Sequence, residues 1–123
     1  VGLSQTTECG FVHLHEWDDF QTLEIVTASP TTTVVAVGCM VDFGSPHTGS
    51  VSEFTAAFKR SPDGATIQTT ISCLLNPTDA EFDAAMQTVN VNLAAGEGIY
   101  LEKTTLAHTT PLGASVIACV DTQ

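Results

Sequence analysis

The sequence predicts an all-β fold, an antiparallel β-sandwich of about eight strands with one short helix near residues 79–86. Three observations predict it. Val34-Val35-Ala36-Val37-Gly38-Cys39-Met40-Val41-Asp42-Phe43 is apolar on both alternating faces, the pattern of a strand covered on two sides. Val89-Asn90-Val91-Asn92-Leu93 alternates strictly, as a strand wetted on one face does. Threonine and valine recur throughout, and clusters of glycine and proline interrupt the runs.

Taken in order, residues 1–7 are small, polar and unpatterned, and are expected to form an N-terminal arm. Residues 9–17 alternate, and a second short run follows at 22–27. Ala28-Ser29-Pro30 turns the chain into the apolar strand 32–43. The loop Gly44-Ser45-Pro46-His47-Thr48-Gly49-Ser50 breaks pairing. Residues 51–60 read as a strand with Phe54, Ala56 and Phe58 on one face. Ser61-Pro62-Asp63-Gly64 then signals a hairpin to a return strand at 65–75. Asn76-Pro77-Thr78 introduces the helix, where Thr78 and Glu81 fit a capping box and the acidic residues suit the positive end of the helix dipole. Residues 87–93 and 99–105 flank Ala94-Ala95-Gly96-Glu97-Gly98 and are expected to form a second hairpin. Residues 114–121 are the closing strand.

A chain of 123 residues fits one domain, residues 1–123 with the arm at one end. Its 43% hydrophobic and 14% charged residues leave few charges to keep its surface apart from other surfaces. Only Lys59, Arg60 and Lys103 are basic against fourteen acidic residues, a formal net charge of -11, so phosphate backbones are repelled and nucleic acid is excluded as a partner. No apolar run approaches the roughly 20 residues of a membrane-spanning helix, so no membrane insertion is expected. Val1 is not a start methionine, so an N-terminal segment is expected to have been removed or left out.

The four cysteines, Cys9, Cys39, Cys73 and Cys119, lack the close spacing of zinc or redox motifs. Strand phase puts Cys39 on a face with Val35, Val37, Val41 and Phe43, and Cys73 on one with Ile67, Ile71 and Leu75. Both point inward, which favours a Cys39–Cys73 bridge. Sandwich folds often set first and last strands side by side, which favours Cys9–Cys119. Four buried thiols acting as small apolar groups are the alternative. Bridges would imply an oxidising or extracellular compartment.

Two surfaces invite function. Phe11, His13, His15 and Trp17 project to one face of a strand, with Val12 and Leu14 to the other. Such a stripe reads first as a solvent or subunit face, and second as rings that stack on a sugar or partner surface. A metal between the two imidazoles would need Glu16, Asp18 or Asp19 as a third ligand, and Glu16 points the wrong way, so no metal or cofactor is assigned. Val34, Ala36, Gly38 and Met40 share the second apolar face of their strand. A subunit contact, the helix near Phe82 or the N-terminal arm could each cover it.

Catalysis finds little support. There is no G-x-S-x-G elbow. The carboxylates at Asp18-Asp19 read as turn residues, and Asp79, Glu81 and Asp83 as a helix start. His47 and His108 read as solvated loop residues, and Met40 and Met86 as core or interface filling.

The segments Phe54-Thr55-Ala56-Ala57-Phe58-Lys59-Arg60-Ser61-Pro62-Asp63-Gly64, Thr69-Thr70-Ile71-Ser72-Cys73 and Val89-Asn90-Val91-Asn92-Leu93-Ala94-Ala95-Gly96-Glu97-Gly98-Ile99-Tyr100-Leu101 resemble, in order and spacing, the jelly-roll head domains of viral and bacterial fibres. Those are similar in architecture to the trimeric heads of complement and tumour-necrosis-factor proteins. The resemblance covers roughly residues 32–121, with Glu97 where such heads often carry aspartate. It implies a jelly-roll-like sandwich, a place in virion or cell-surface architecture, and self-association, often as a trimer. It transfers no functional residue. The expected function is a non-enzymatic structural subunit of an extracellular or virion assembly: a capsid decoration, a fibre head or a surface filament. Its partners would be copies of itself, as a homo-oligomer, lattice or filament, and a capsid protein, cell-surface protein or glycan. The competing class is a carbohydrate- or surface-binding module that uses Phe11, His13, His15 and Trp17.

Overall fold

The computed structural model describes residues 5–14, 22–28, 30–43, 51–108 and 114–123. Among these residues nine strands and a helix follow one another as β1 (Thr6–Leu14), β2 (Thr22–Thr27), β3 (Thr32–Phe43), β4 (Val51–Ser61), β5 (Thr66–Ser72), β6 (Leu74–Leu75), α1 (Asp79–Ala85), β7 (Gln87–Leu93), β8 (Gly98–His108) and β9 (Ala114–Thr122). One sheet runs β1-β9-β3, with β6 and β7 sharing the far side of β3; the other runs β2-β8-β4-β5. Set the two-residue β6 aside, and the first long strand pairs with the last, the second with the next to last, the third with β7, and the two middle ones with each other. That nested pairing is one long hairpin wound over itself into two sheets, the jelly-roll arrangement.

The inner faces meet through Val37, Val41, Leu93, Val116 and Val120 on the first sheet and Phe54, Phe58, Leu101 and Leu106 on the second, all of them fully buried. The expected face Phe54, Ala56, Phe58 is part of this core. Burying such side chains is the dominant favourable term, about 1.5–3 kcal/mol for each. Both expected bridges are present. Cys9–Cys119 joins two neighbouring strands of one sheet. Cys39–Cys73 staples the sheets together, because the Cys73 backbone N–H donates to Phe54 O of β4 at 2.9 Å while the next residue, Leu74, already pairs with Met40 of β3. Two disulfides place folding of the chain in an oxidising, extracellular-type compartment.

The helix keeps its capping box: Thr78 Oγ1 accepts from Glu81 N and Glu81 Oε1 from Thr78 N, each at 3.2 Å. No helix among the described residues is long and apolar enough to cross a membrane.

Four expectations need correction. Thr6 and Thr7, expected in the arm, belong to β1 and pair with Thr122 and Asp121. Their alternation is short, but β9 supplies ladder partners that the sequence alone does not reveal. The return strand at 65–75 is two strands, because Cys73 is drawn toward Cys39 and the chain crosses to the other sheet, where β6 pairs with β3 in parallel. Residues 87–93 and 99–105 form no hairpin: β7 pairs with β3, and β8 with β2 and β4. The turn between them is bonded elsewhere. Gly96, at positive φ, donates its N–H to Ala28 O, Ala28 N–H donates to Glu97 O, and Glu97 Oε1 accepts from Ala94 N. Held to the β2–β3 connection, the chain crosses between sheets instead of reversing within one.

The fourth correction concerns Val34. Alternation puts it on the outer face with Ala36, Gly38 and Met40, yet it is fully buried in the core. Val34 pairs with Thr122 and Ala36 with Asp121, so Val35 is an extra residue, and this bulge reverses the phase of everything before it.

Candidate functional site

The register of β1, β9, β3 and their neighbours fixes what stands on the outer face of the first sheet. Four rows cross it: Thr7, Asp121, Ala36 and Thr88; then Cys9, Cys119 and Gly38; then Phe11, Ile117, Met40 and Leu74; then His13, Ser115 and Asp42. The third row is apolar across four strands. At one end of it the Phe11 side chain is 70% exposed, whereas Ile117, Met40 and Leu74 are half-buried. Phe11 and its half-buried neighbours thus form an apolar strip on the outer face of the first sheet.

The rows either side of the apolar one are tied down. The Cys9–Cys119 bridge lies in one of them. Ser115 Oγ lies 3.1 Å from His13 Nδ1 on the other side, and Thr7 Oγ1 donates to Asp121 Oδ1 at 2.5 Å in the outermost row.

Toward β3 the face changes character. A Cβ built on Gly38 would strike Met86 Sδ and lie 3.3 Å from Phe82 Cε1, so α1 and the residue after it sit directly on the strand. Of the four residues expected to form an intersubunit strip, Val34 is core and Gly38 is covered by this chain's own helix. Ala36 and Met40 remain on the outer face, half-buried. Lack of a side chain at Gly38 is what lets the helix approach. The small residue in a two-faced apolar strand was legible in the sequence, and of the three covers expected for it the helix near Phe82 is the one that sits on Gly38.

Of the aromatic and imidazole stripe, Phe11 and His13 are exposed on this same face. His15 and Trp17 lie outside the described residues, as do Glu16, Asp18, Asp19 and His47. Among the described residues no three His, Cys, Asp or Glu side chains converge as a metal site requires. Sequence reasoning missed Ile117 and Leu74. A signal existed for Ile117: Val116-Ile117-Ala118-Cys119-Val120 is apolar on both phases, like β3, and a closing strand with both faces apolar has something on each side.

A recess of about 440 Å³ opens where β3, β7 and the chain end meet, beside Thr32, Thr33, Asn92, Glu97 and Gln123. Its polar groups bond one another: Thr33 Oγ1 donates to Asn92 Oδ1 at 2.8 Å and Thr32 Oγ1 to Gln123 O at 3.0 Å. None of these described lining residues supplies a nucleophile beside a base.

Two basic groups are similarly engaged. Lys59 Nζ lies 2.9 Å from Glu102 Oε1, and Arg60 grips Asp63 with two nitrogens at 2.6 and 3.3 Å. The Arg60 guanidinium holds the Asp63 carboxyl below the usual carboxylate range, helped by the Ala65 backbone N–H. These pairs lie on and around the second sheet.

Comparison with protein-family models, curated proteins and solved structures returns no match to this chain.

Proposed function

We propose that this chain is a structural subunit of an extracellular or virion assembly, such as a capsid decoration, a fibre head or a surface filament, and that it works by self-association. The observation that carries this reading is the apolar row Phe11, Ile117, Met40 and Leu74 on the outside of the sandwich, with Phe11 70% exposed. A phenylalanine held that far into water is maintained at a cost in solubility, and docking relieves it. The two disulfides fit a protein that must persist outside the cell, and the jelly-roll winding is an architecture used in viral capsids and in lectins.

The lectin-like alternative, a carbohydrate- or surface-binding module, has one observation in its favour. The Phe11 ring and the His13 imidazole stand exposed on the same face of one strand, as stacking against a sugar requires.

Light scattering after size exclusion tests the assembly reading. The native protein should elute as a species heavier than the 12.9 kDa chain, and Phe11→Glu should elute as the single chain with an unchanged melting temperature. A native protein that stays at the mass of one chain up to millimolar concentration would sink self-association. Binding on a glycan array that Phe11→Ala abolishes would then favour the alternative.

A further inference from the structure

The outer face of the first sheet is lopsided. Over β3 it carries α1, with Phe82 and Met86 against Gly38. Over β1 and β9 no described element stands on it, and β1 is the edge of the sheet. A helix is about 10 Å across, the same height as the spacing of two packed sheets. A second sheet therefore cannot lie over β3, but it fits beside the helix, over β1 and β9.

Turning a copy of the molecule by half a revolution about an axis parallel to these strands, between β1 and β9 and above the face, produces that fit. The rows stay in register and the strand order reverses. Each helix then stands just past the other copy's β1 edge, where no further strand stands among the described residues. Phe11 of one copy faces Ile117 of the other, twice, making a cluster of four apolar side chains over the two Cys9–Cys119 bridges.

Electrostatics agrees with this placement. In a chain of net charge -11, close approach of two copies is opposed unless carboxylates stay apart. The one carboxylate in the outward β1 and β9 rows is Asp121, and the rotation sets it opposite the Thr7 hydroxyl. His13 comes opposite Ser115. Asp42 and the helix carboxylates Asp79, Glu81 and Asp83 come alongside β1, whose outward residues Thr7, Cys9, Phe11 and His13 include no acid.

We propose that a second copy of this chain packs face to face on β1 and β9 about this two-fold axis, with each helix flanking the other copy's β1 edge. The proposal rests on the self-association reading and names its surface and symmetry.

Complementation between two variants tests it. Phe11→Glu and Ile117→Lys should each weaken pairing by on the order of tenfold or more, since each sets two charges against apolar groups. Mixed together they should pair again, because the introduced carboxylate of one chain meets the introduced ammonium of the other, while the native Ile117 and Phe11 meet across the second contact. Sedimentation equilibrium reads the masses, and circular dichroism melting of each variant checks the fold. A native oligomer that survives both substitutions overturns this face but leaves self-association standing. A mixture that stays monomeric, or a three-chain native species, overturns the two-fold axis. A monomeric native protein overturns this proposal and the reading beneath it together.

Discussion

The two outer faces of this sandwich are built from opposite choices. On the second sheet β4 and β8 point Thr55 and Lys59, and Tyr100, Glu102 and Thr104, away from the core, and polar groups among them bond one another: Lys59 with Glu102 at 2.9 Å and Thr55 Oγ1 with Thr104 Oγ1 at 2.7 Å. The first sheet points Phe11, Ile117, Met40 and Leu74 outward and uses a disulfide and a helix where the other uses ion pairs. The contrast teaches where to look for function in this fold. A face of mutually bonded polar side chains is complete in water; an apolar face half-covered by its own helix is not.

The largest expected effect falls on the cross-link of the apolar face. Replacing Cys9 and Cys119 by alanine opens a loop of 110 residues and should cost about 2–5 kcal/mol in chemical denaturation. A loss no greater than that of an exposed surface substitution would show that the bridge does not restrain the unfolded chain. Next comes Gly38→Val, which drives a side chain into Met86 and Phe82. The cost should be about 1–3 kcal/mol, with faster amide exchange confined to α1; unaltered helix protection would mean that the helix is not seated on Gly38.

The smallest effect lies at the edge of the polar face. Because Arg60 lowers the pKa of Asp63, their pairing contributes stability at neutral pH and loses it as the pH falls through that depressed value, below about 4. Asp63→Asn should remove a small part of the acid sensitivity of the melting temperature without changing the native mass. An acid limb identical to that of the parent protein would contradict the assignment.

Much of the fold was legible because its strands obey simple periodicity. The strand 32–43, the hairpin through Pro62-Asp63-Gly64 and the capped helix at Thr78 follow from local pattern and turn chemistry, and the Cys39–Cys73 pairing follows from phase. What periodicity could not carry was any departure from it. The bulge at Val35 moves Val34 from the outer face to the core, and no residue there announces an extra position. The reversal after Leu93 has the composition of a hairpin turn, and only its bonds to Ala28 send the chain to the other sheet. The candidate site was half legible: Phe11 and His13 were placed on one face by alternation, but their neighbours Ile117 and Met40 come from strands distant in sequence, joined by a register that alternation does not specify.

The measurement that bears most directly on the contrast between faces is a paired one: native mass by sedimentation equilibrium for Phe11→Glu, on the apolar face, and for Tyr100→Glu, on the polar one. Phe11→Glu should sediment as the 12.9 kDa chain and Tyr100→Glu should keep the mass of the parent assembly. Equal masses for the two variants, or dissociation by Tyr100→Glu alone, would contradict the claim that the face of β1 and β9 is where this protein meets its partner.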